Sequence, residues 1–175
     1  MKATHALKKV LFLLPFLGMV MLVGCQPDDN KEPEVTPVTT PTAVNKTLLL
    51  QLVNAKRASG CNCGGTAFPA TTPLTWNNVL ETVALDHSLD MSKMGVMQHQ
   101  GSDGSNVATR ATRRGYAYSI IGENIAWGIT FTEESVIAGW INSPAHCENI
   151  MNSEFKEMGI ARVGSYWTQV LGASH

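Results

Sequence analysis

Gly122-Glu123-Asn124-Ile125-Ala126-Trp127-Gly128 and Trp140-Ile141-Asn142-Ser143-Pro144-Ala145-His146-Cys147-Glu148-Asn149-Ile150-Met151 are the two stretches on which the reading of this chain turns. Each sets one ionisable side chain in an apolar frame, Glu123 in the first and His146 in the second. A carboxylate or imidazole among apolar neighbours is costly unless it has a partner. Upstream, Gln98-His99-Gln100-Gly101-Ser102-Asp103-Gly104-Ser105 adds a second imidazole in a turn-rich segment. His99, Glu123 and His146 are therefore expected to converge on one polar site.

Outward from these stretches, the chain reads as helices around a small sheet. Lys46 to Ser59 forms a helix with Leu49, Leu50, Val53 and Ala55 as apolar positions and a stop at Gly60. Residues 60–73 read as loop. Asn77 to Lys93 is a second helix, with Leu80, Val83, Ala84, His87, Met91 and Met94 on one stripe. His87 is then a core histidine bonded to backbone rather than a ligand. Val107 to Arg114 is a short helix whose Arg110, Arg113 and Arg114 are expected to be solvated or salt-bridged. Tyr118 to Ile121 is a strand, and Thr132 to Asn142 a helix capped at Thr130 or Thr132. Ser143-Pro144 starts another helix, with Ser143 as N-cap and proline in the first turn. Met158–Val163 and Tyr166–Leu171, joined at Gly164-Ser165, form a closing hairpin. The class is α+β.

The N-terminal part reads as an export signal. Lys2, Lys8 and Lys9 precede an apolar run, Val10 to Val23, too short for a membrane span. It closes on Leu22-Val23-Gly24-Cys25, a tetrapeptide that resembles a bacterial lipobox. Residues 1–24 are thus expected to be a lipoprotein signal peptide, with Cys25 carrying the lipid. Acyl chains add about 0.8 kcal/mol per buried CH₂ to membrane attachment. Residues 25–44 hold Pro27, Pro33, Pro37 and Pro41 with threonines and acids, which suits an extended tether. Gln26 after the cysteine favours the outer membrane in a Gram-negative host. Removing the leader leaves ten basic against fourteen acidic side chains, a net charge of −4. Such a domain, spanning 45–175, is a poor nucleic-acid binder.

Cys61, Cys63 and Cys147 remain in an oxidising setting. A bond from Cys147 to one of the other two closes a loop of over 80 residues, about 4.5 kcal/mol in the chain-entropy model. Cys63 is the expected partner, because Gly64 and Gly65 free the backbone to present it. Zinc on Cys61, Cys63 and Cys147 is the alternative.

Taken in order, Pro73-Leu74-Thr75-Trp76-Asn77, Asp86-His87-Ser88-Leu89-Asp90-Met91, His99–Ser105, Gly122–Ala126, Ser143–His146, Phe155–Gly159 and Tyr166–Gly172 resemble the CAP superfamily of cysteine-rich secretory, antigen 5 and pathogenesis-related 1 proteins. The similarity is to its bacterial SCP-like extracellular branch and covers about residues 46–172. It implies an α-β-α sandwich with a small central antiparallel sheet and a cavity that can hold a divalent metal such as Zn²⁺. By motif, His99, Glu123 and His146 match cavity residues, while the second acid of many members is Ser143 here. The resemblance implies a non-enzymatic envelope domain that binds a small apolar molecule, a glycan or a protein partner, and the lipobox adds the expectation of a lipid anchor at Cys25. The competing expectation is a metal-assisted hydrolase or peptidase, with Glu123 as base and His99 and His146 as ligands. A purely structural polar cluster is the third.

Overall fold

The computed structural model describes residues 40–175. The expected signal peptide, the lipid-bearing Cys25 and most of the tether lie outside the described residues.

Local chemistry sets the helix limits. α1 (Lys46–Ser59) starts where Asn45 Oδ1 accepts from Leu48 N at 3.1 Å, and it stops at Gly60. Its buried stripe is Leu49, Val53 and Arg57, so the fourth-residue spacing ends on a guanidinium and Ala55 faces solvent. Arg57 donates to the carbonyl oxygens of Thr72, Ile150, Asn152 and Phe155. One buried cation thereby satisfies four carbonyls of non-repetitive backbone and helix end.

α2 (Asn78–Met94) is capped by Asn77, which accepts from Val79 N and Leu80 N, and it ends at left-handed Gly95. α3 (Val107–Arg113), α4 (Glu133–Asn142) and α5 (Pro144–Met151) follow. Thr132 and Ser135 close the capping box of α4, which decides between the two expected caps.

The strands, in chain order, are β1 (Pro41–Thr42), β2 (Cys61–Cys63), β3 (Thr66–Phe68), β4 (Thr75–Trp76), β5 (Tyr118–Trp127), β6 (Glu157–Val163) and β7 (Tyr166–Ser174). The main sheet has the order β1-β6-β7-β5, with β4 parallel on β6 and the other pairs antiparallel. α1, α4 and α5 pack on one face through Leu49, Trp140, Ile150, Met158, Ile160 and Trp167. α2 and α3 pack on the other through Leu80, Val83, Ala84, Ala111, Ala161 and Val170. The expected α+β sandwich of helix, sheet and helix is the architecture found.

Three segments depart from the sequence reading. Residues 60–73 are not all loop: β2 and β3 form a separate hairpin across Gly64-Gly65, both at positive φ. The strand expected over Tyr118–Ile121 runs on to Trp127, because β7 pairs with it along its length, Glu123 opposite Val170 and Asn124 opposite Gln169. The tether expected through 44 ends earlier, since Pro41 and Thr42 pair with Val163 and Arg162.

The expected disulfide joins Cys63 to Cys147, so the small hairpin is fastened to α5 across 84 residues of chain. At the opposite layer, a Cβ on Gly159 would stand 2.1 Å from Glu81 N. α2 therefore lies directly on the backbone of β6. Gly159→Ala is expected to destabilise the fold by about 3 kcal/mol, because helix and sheet must part. Gly139→Ala in α4 meets no atom within 4 Å and should stabilise by roughly 0.5–1 kcal/mol through helix propensity. Urea midpoints of the two variants check both signs.

Candidate functional site

β5 places alternate side chains on opposite faces. Glu123 points toward partners from α2 and α3, and Asn124 toward α5. Glu123 is 3 % exposed in its side chain, and both its oxygens are engaged. Arg110 Nη2 donates to Oε2 at 2.7 Å, and His99 Nδ1 to Oε1 at 2.9 Å. His87 Nε2 stands 3.7 Å from Oε1 and donates instead to Gln98 O at 2.9 Å. Its Nδ1 is buried without a hydrogen-bond partner. The expected core histidine bonded to backbone is what the structure contains, with a carboxylate beside it.

Arg110 takes the second of the two expected states, salt-bridged to Glu123 rather than solvated. It lies in α3, buried, and also donates to Ser105 O at 2.9 Å and His99 O at 3.2 Å. One guanidinium thus holds Glu123 and both ends of the 99–105 loop. Its position was readable in the sequence: three residues beyond apolar Val107, it shares the inward face of the helix. Arg113 and Arg114 are salt-bridged as well, at the surface, with Asp103 and Asp86.

On the other face, Asn124 Nδ2 donates to His146 O at 3.1 Å and to Gln169 Oε1 at 2.9 Å. Asn149 Nδ2 donates to Asn124 Oδ1 at 2.9 Å and reaches Glu123 O at 3.3 Å. Trp140 Nε1 donates to Ile125 O at 3.0 Å. Side chains of α4 and α5 therefore occupy carbonyls of the strand that ends the sheet, which blunts an open edge. His146 is half-buried, and burial and then the neighbouring His99 hold its pKa below 6.5. Ser143 is the backbone N-cap of α5 but makes no side-chain cap bond. The hydroxyl expected to be engaged by the helix is left over.

Ser143 and His146 instead edge an apolar cleft of about 260 Å³, walled by Met97, Ile125, Trp127, Phe131 and Trp140. Met97, Trp127 and Ile129 are 49, 50 and 71 % exposed, an uncommon concentration of bare apolar surface. The polar residues were legible in the sequence; these walls, drawn from three separate segments, were not.

As a metal set, His99, Glu123 and His146 do not fit. Glu123 has spent both oxygens on Arg110 and His99. Among the described residues, the one group of three or more candidate ligands within 4.8 Å of one another is Cys61, Cys63 and Cys147. Glu123 acts on His99 from behind, fixing its ring through Nδ1, and the His99 side chain is 59 % exposed.

The model of the Cysteine-rich secretory protein family matches residues 50–171. The Bacillus subtilis protein YkwD is 35 % identical over 99 residues, 55 % of this chain and 38 % of YkwD. The chain thus spans well under half the length of that relative. Among solved structures, an extracellular protein containing a SCP domain from Bacillus anthracis superposes with a TM-score of 0.61 at 25 % identity, covering 73 % of this chain and 40 % of that one. An outer surface protein from Borrelia burgdorferi gives 0.60 at 16 % identity, covering 78 % and 100 %, a likeness of fold.

Burial holds the His87 pKa below its ordinary 6.5 more strongly than neighbouring Glu123 raises it. The unfolded chain therefore binds a proton at His87 before the folded one does. Stability should be full above the unfolded value and fall as pH drops below 6.5. His87→Gln, which retains a donor for Gln98 O, should flatten that fall. Urea unfolding at about pH 7 and about pH 5 measures it; an unchanged slope contradicts the assignment.

Proposed function

The chain belongs to the cysteine-rich secretory protein family, and from that premise we propose that it is a non-catalytic binding domain on the outside of a bacterial cell envelope. Its ligand is a small apolar molecule seated in the cleft beside His146. The observation that carries this is the cleft wall: Trp127, Phe131 and Trp140 surround a space whose polar groups are one imidazole and one hydroxyl. Binding sites of this kind are mostly apolar, with few polar groups to orient the ligand. A glycan needs many more donors and acceptors than Ser143 and His146 supply. A volume of about 260 Å³ suits a ring or a short acyl segment rather than a folded partner.

The polar chain serves this cleft as a frame. Arg110 neutralises Glu123, Glu123 orients His99, and Arg110 also clamps two carbonyls of the loop that follows Met97. Exported SCP-domain and outer-surface proteins among the structural neighbours support the location. Lipidation at Cys25 would fasten the domain to the membrane through the 26–40 tether, with the outer membrane as the site in a Gram-negative host. The hydrolase reading lacks an available base, since an ion pair and a hydrogen bond already engage Glu123.

Anilinonaphthalene sulfonate is a suitable apolar probe. It should bind saturably at one site per chain, with quenching of tryptophan emission. Trp127→Ala removes a half-exposed ring face. It should weaken binding about tenfold, roughly 1.4 kcal/mol, and leave the fold intact. Equal binding by wild type, Trp127→Ala and Phe131→Ala would rule the cleft out as the binding site.

A further inference from the structure

The β2–β3 hairpin carries more sulfur than a disulfide needs. Cys61 and Cys63 are two apart on one strand, so their side chains share a face. That face meets Cys147 of α5. Asn62, between them, turns its Oδ1 to Gly65 N at 2.6 Å and closes the hairpin. Cys63 and Cys147 are bonded, and Cys61 remains a free, half-buried thiol. Its Sγ lies 3.4 Å from Cys147 Sγ and 3.7 Å from Cys63 Sγ.

Two chemistries could use a third sulfur there. Thiolate exchange requires attack along the extension of the S–S bond. Cys61 is almost equidistant from the two sulfurs, so it stands beside that bond and not on its extension. Metal coordination requires something else. Zn–S bonds of about 2.3 Å in a tetrahedron place sulfurs about 3.8 Å apart. The two distances from Cys61 already approach that edge. Once the bond between Cys63 and Cys147 opens, their sulfurs need only rotate apart, over a Cα separation of 5.5 Å, to complete a triangular face.

We propose that Cys61, Cys63 and Cys147 form a three-thiolate site for a zinc-type divalent ion, closed by the Cys63–Cys147 disulfide and opened by a dithiol reductant. The dithiol gives two electrons and two protons and becomes a disulfide; Cys63 and Cys147 become thiols. The ion then displaces three protons to solvent, and water fills the fourth position. The oxidised chain fastens its hairpin to α5 by the disulfide, the reduced chain by the metal. None of the three cysteines lines the cleft, and His146 is not among the ligands.

The test uses the full chain in detergent, reduced by a phosphine, desalted without oxygen and titrated with Co²⁺ alone. One Co²⁺ per chain should bind, with a thiolate-to-cobalt charge-transfer band, tetrahedral visible bands and native near-ultraviolet circular dichroism. Zn²⁺ should displace it. The oxidised chain should show none of these bands. Cys61→Ser keeps the disulfide and folds when oxidised; once reduced, it should bind Co²⁺ about 100-fold more weakly. His146→Ala should bind like the wild type. The proposal is overturned if reduced wild type gives no thiolate band, if reduced Cys61→Ser binds equally well, or if the reduced chain stays unfolded with Co²⁺ present.

Discussion

A carboxylate held almost dry in the middle of β5 is the constraint around which this molecule is arranged. Glu123 is tolerable there only because Arg110 and His99 take its two oxygens. Those partners come from a short helix and from the loop before it. To deliver them, α3 must lie against the sheet and the 99–105 loop must bring His99 to the middle of β5. Arg110 does both at once, since the guanidinium that meets Glu123 also holds Ser105 O and His99 O.

The opposite face of the same strand repeats the device with neutral groups. Asn124 ties the backbone of His146 to Gln169, and Asn149 ties Asn124 and Glu123 O to α5. Adjacent residues on one strand thus fix the two helical layers, one by charge and one by amides. At the end of the sheet, His146 edges a cleft whose walls are indole and phenyl rings. Burial, and after it the nearby His99, lowers the pKa of that imidazole. Apart from His87 Nδ1 and Arg110 Nε, which lack a hydrogen-bond partner, the buried polar groups of this network are paired, which favours one arrangement of the region. That suits a domain whose role is to hold a surface in shape.

Much of this was legible in residue order. The stripe through Leu80, Val83, His87 and Met91 located α2 and the character of His87. The order of motifs pointed to the family and the layered architecture. β5 was only half read, because its central residues, Glu123 and Asn124, are polar and buried on opposite faces. Strand patterning expects one wet face, and here partners as distant as Gln169 dry both. Arg57 escaped for a related reason: it ends an apolar stripe, and the carbonyls that justify it arrive from segments about 15 and 93–98 residues away. The β2–β3 hairpin had a readable Gly-Gly turn, but its short strands carry the cysteines, which drew the reading toward chemistry. The Ser-Pro start of α5 was located correctly, while the serine hydroxyl makes no cap bond and lies at the cleft. The cleft walls were beyond reach, since no local pattern brings Met97, Trp127 and Phe131 together.

Arg110, Glu123 and His99 form a directed chain, with His87 turned away toward Gln98. Each imidazole then has a defined tautomer: hydrogen on Nδ1 in His99, where it meets the carboxylate, and on Nε2 in His87, where it meets the carbonyl. Long-range ¹H–¹⁵N correlation spectra of the histidine rings at neutral pH read this directly. Nδ1–H for His99 and Nε2–H for His87 are the tautomers expected. Nε2–H for His99, or a rapidly averaging ring, would contradict that chain.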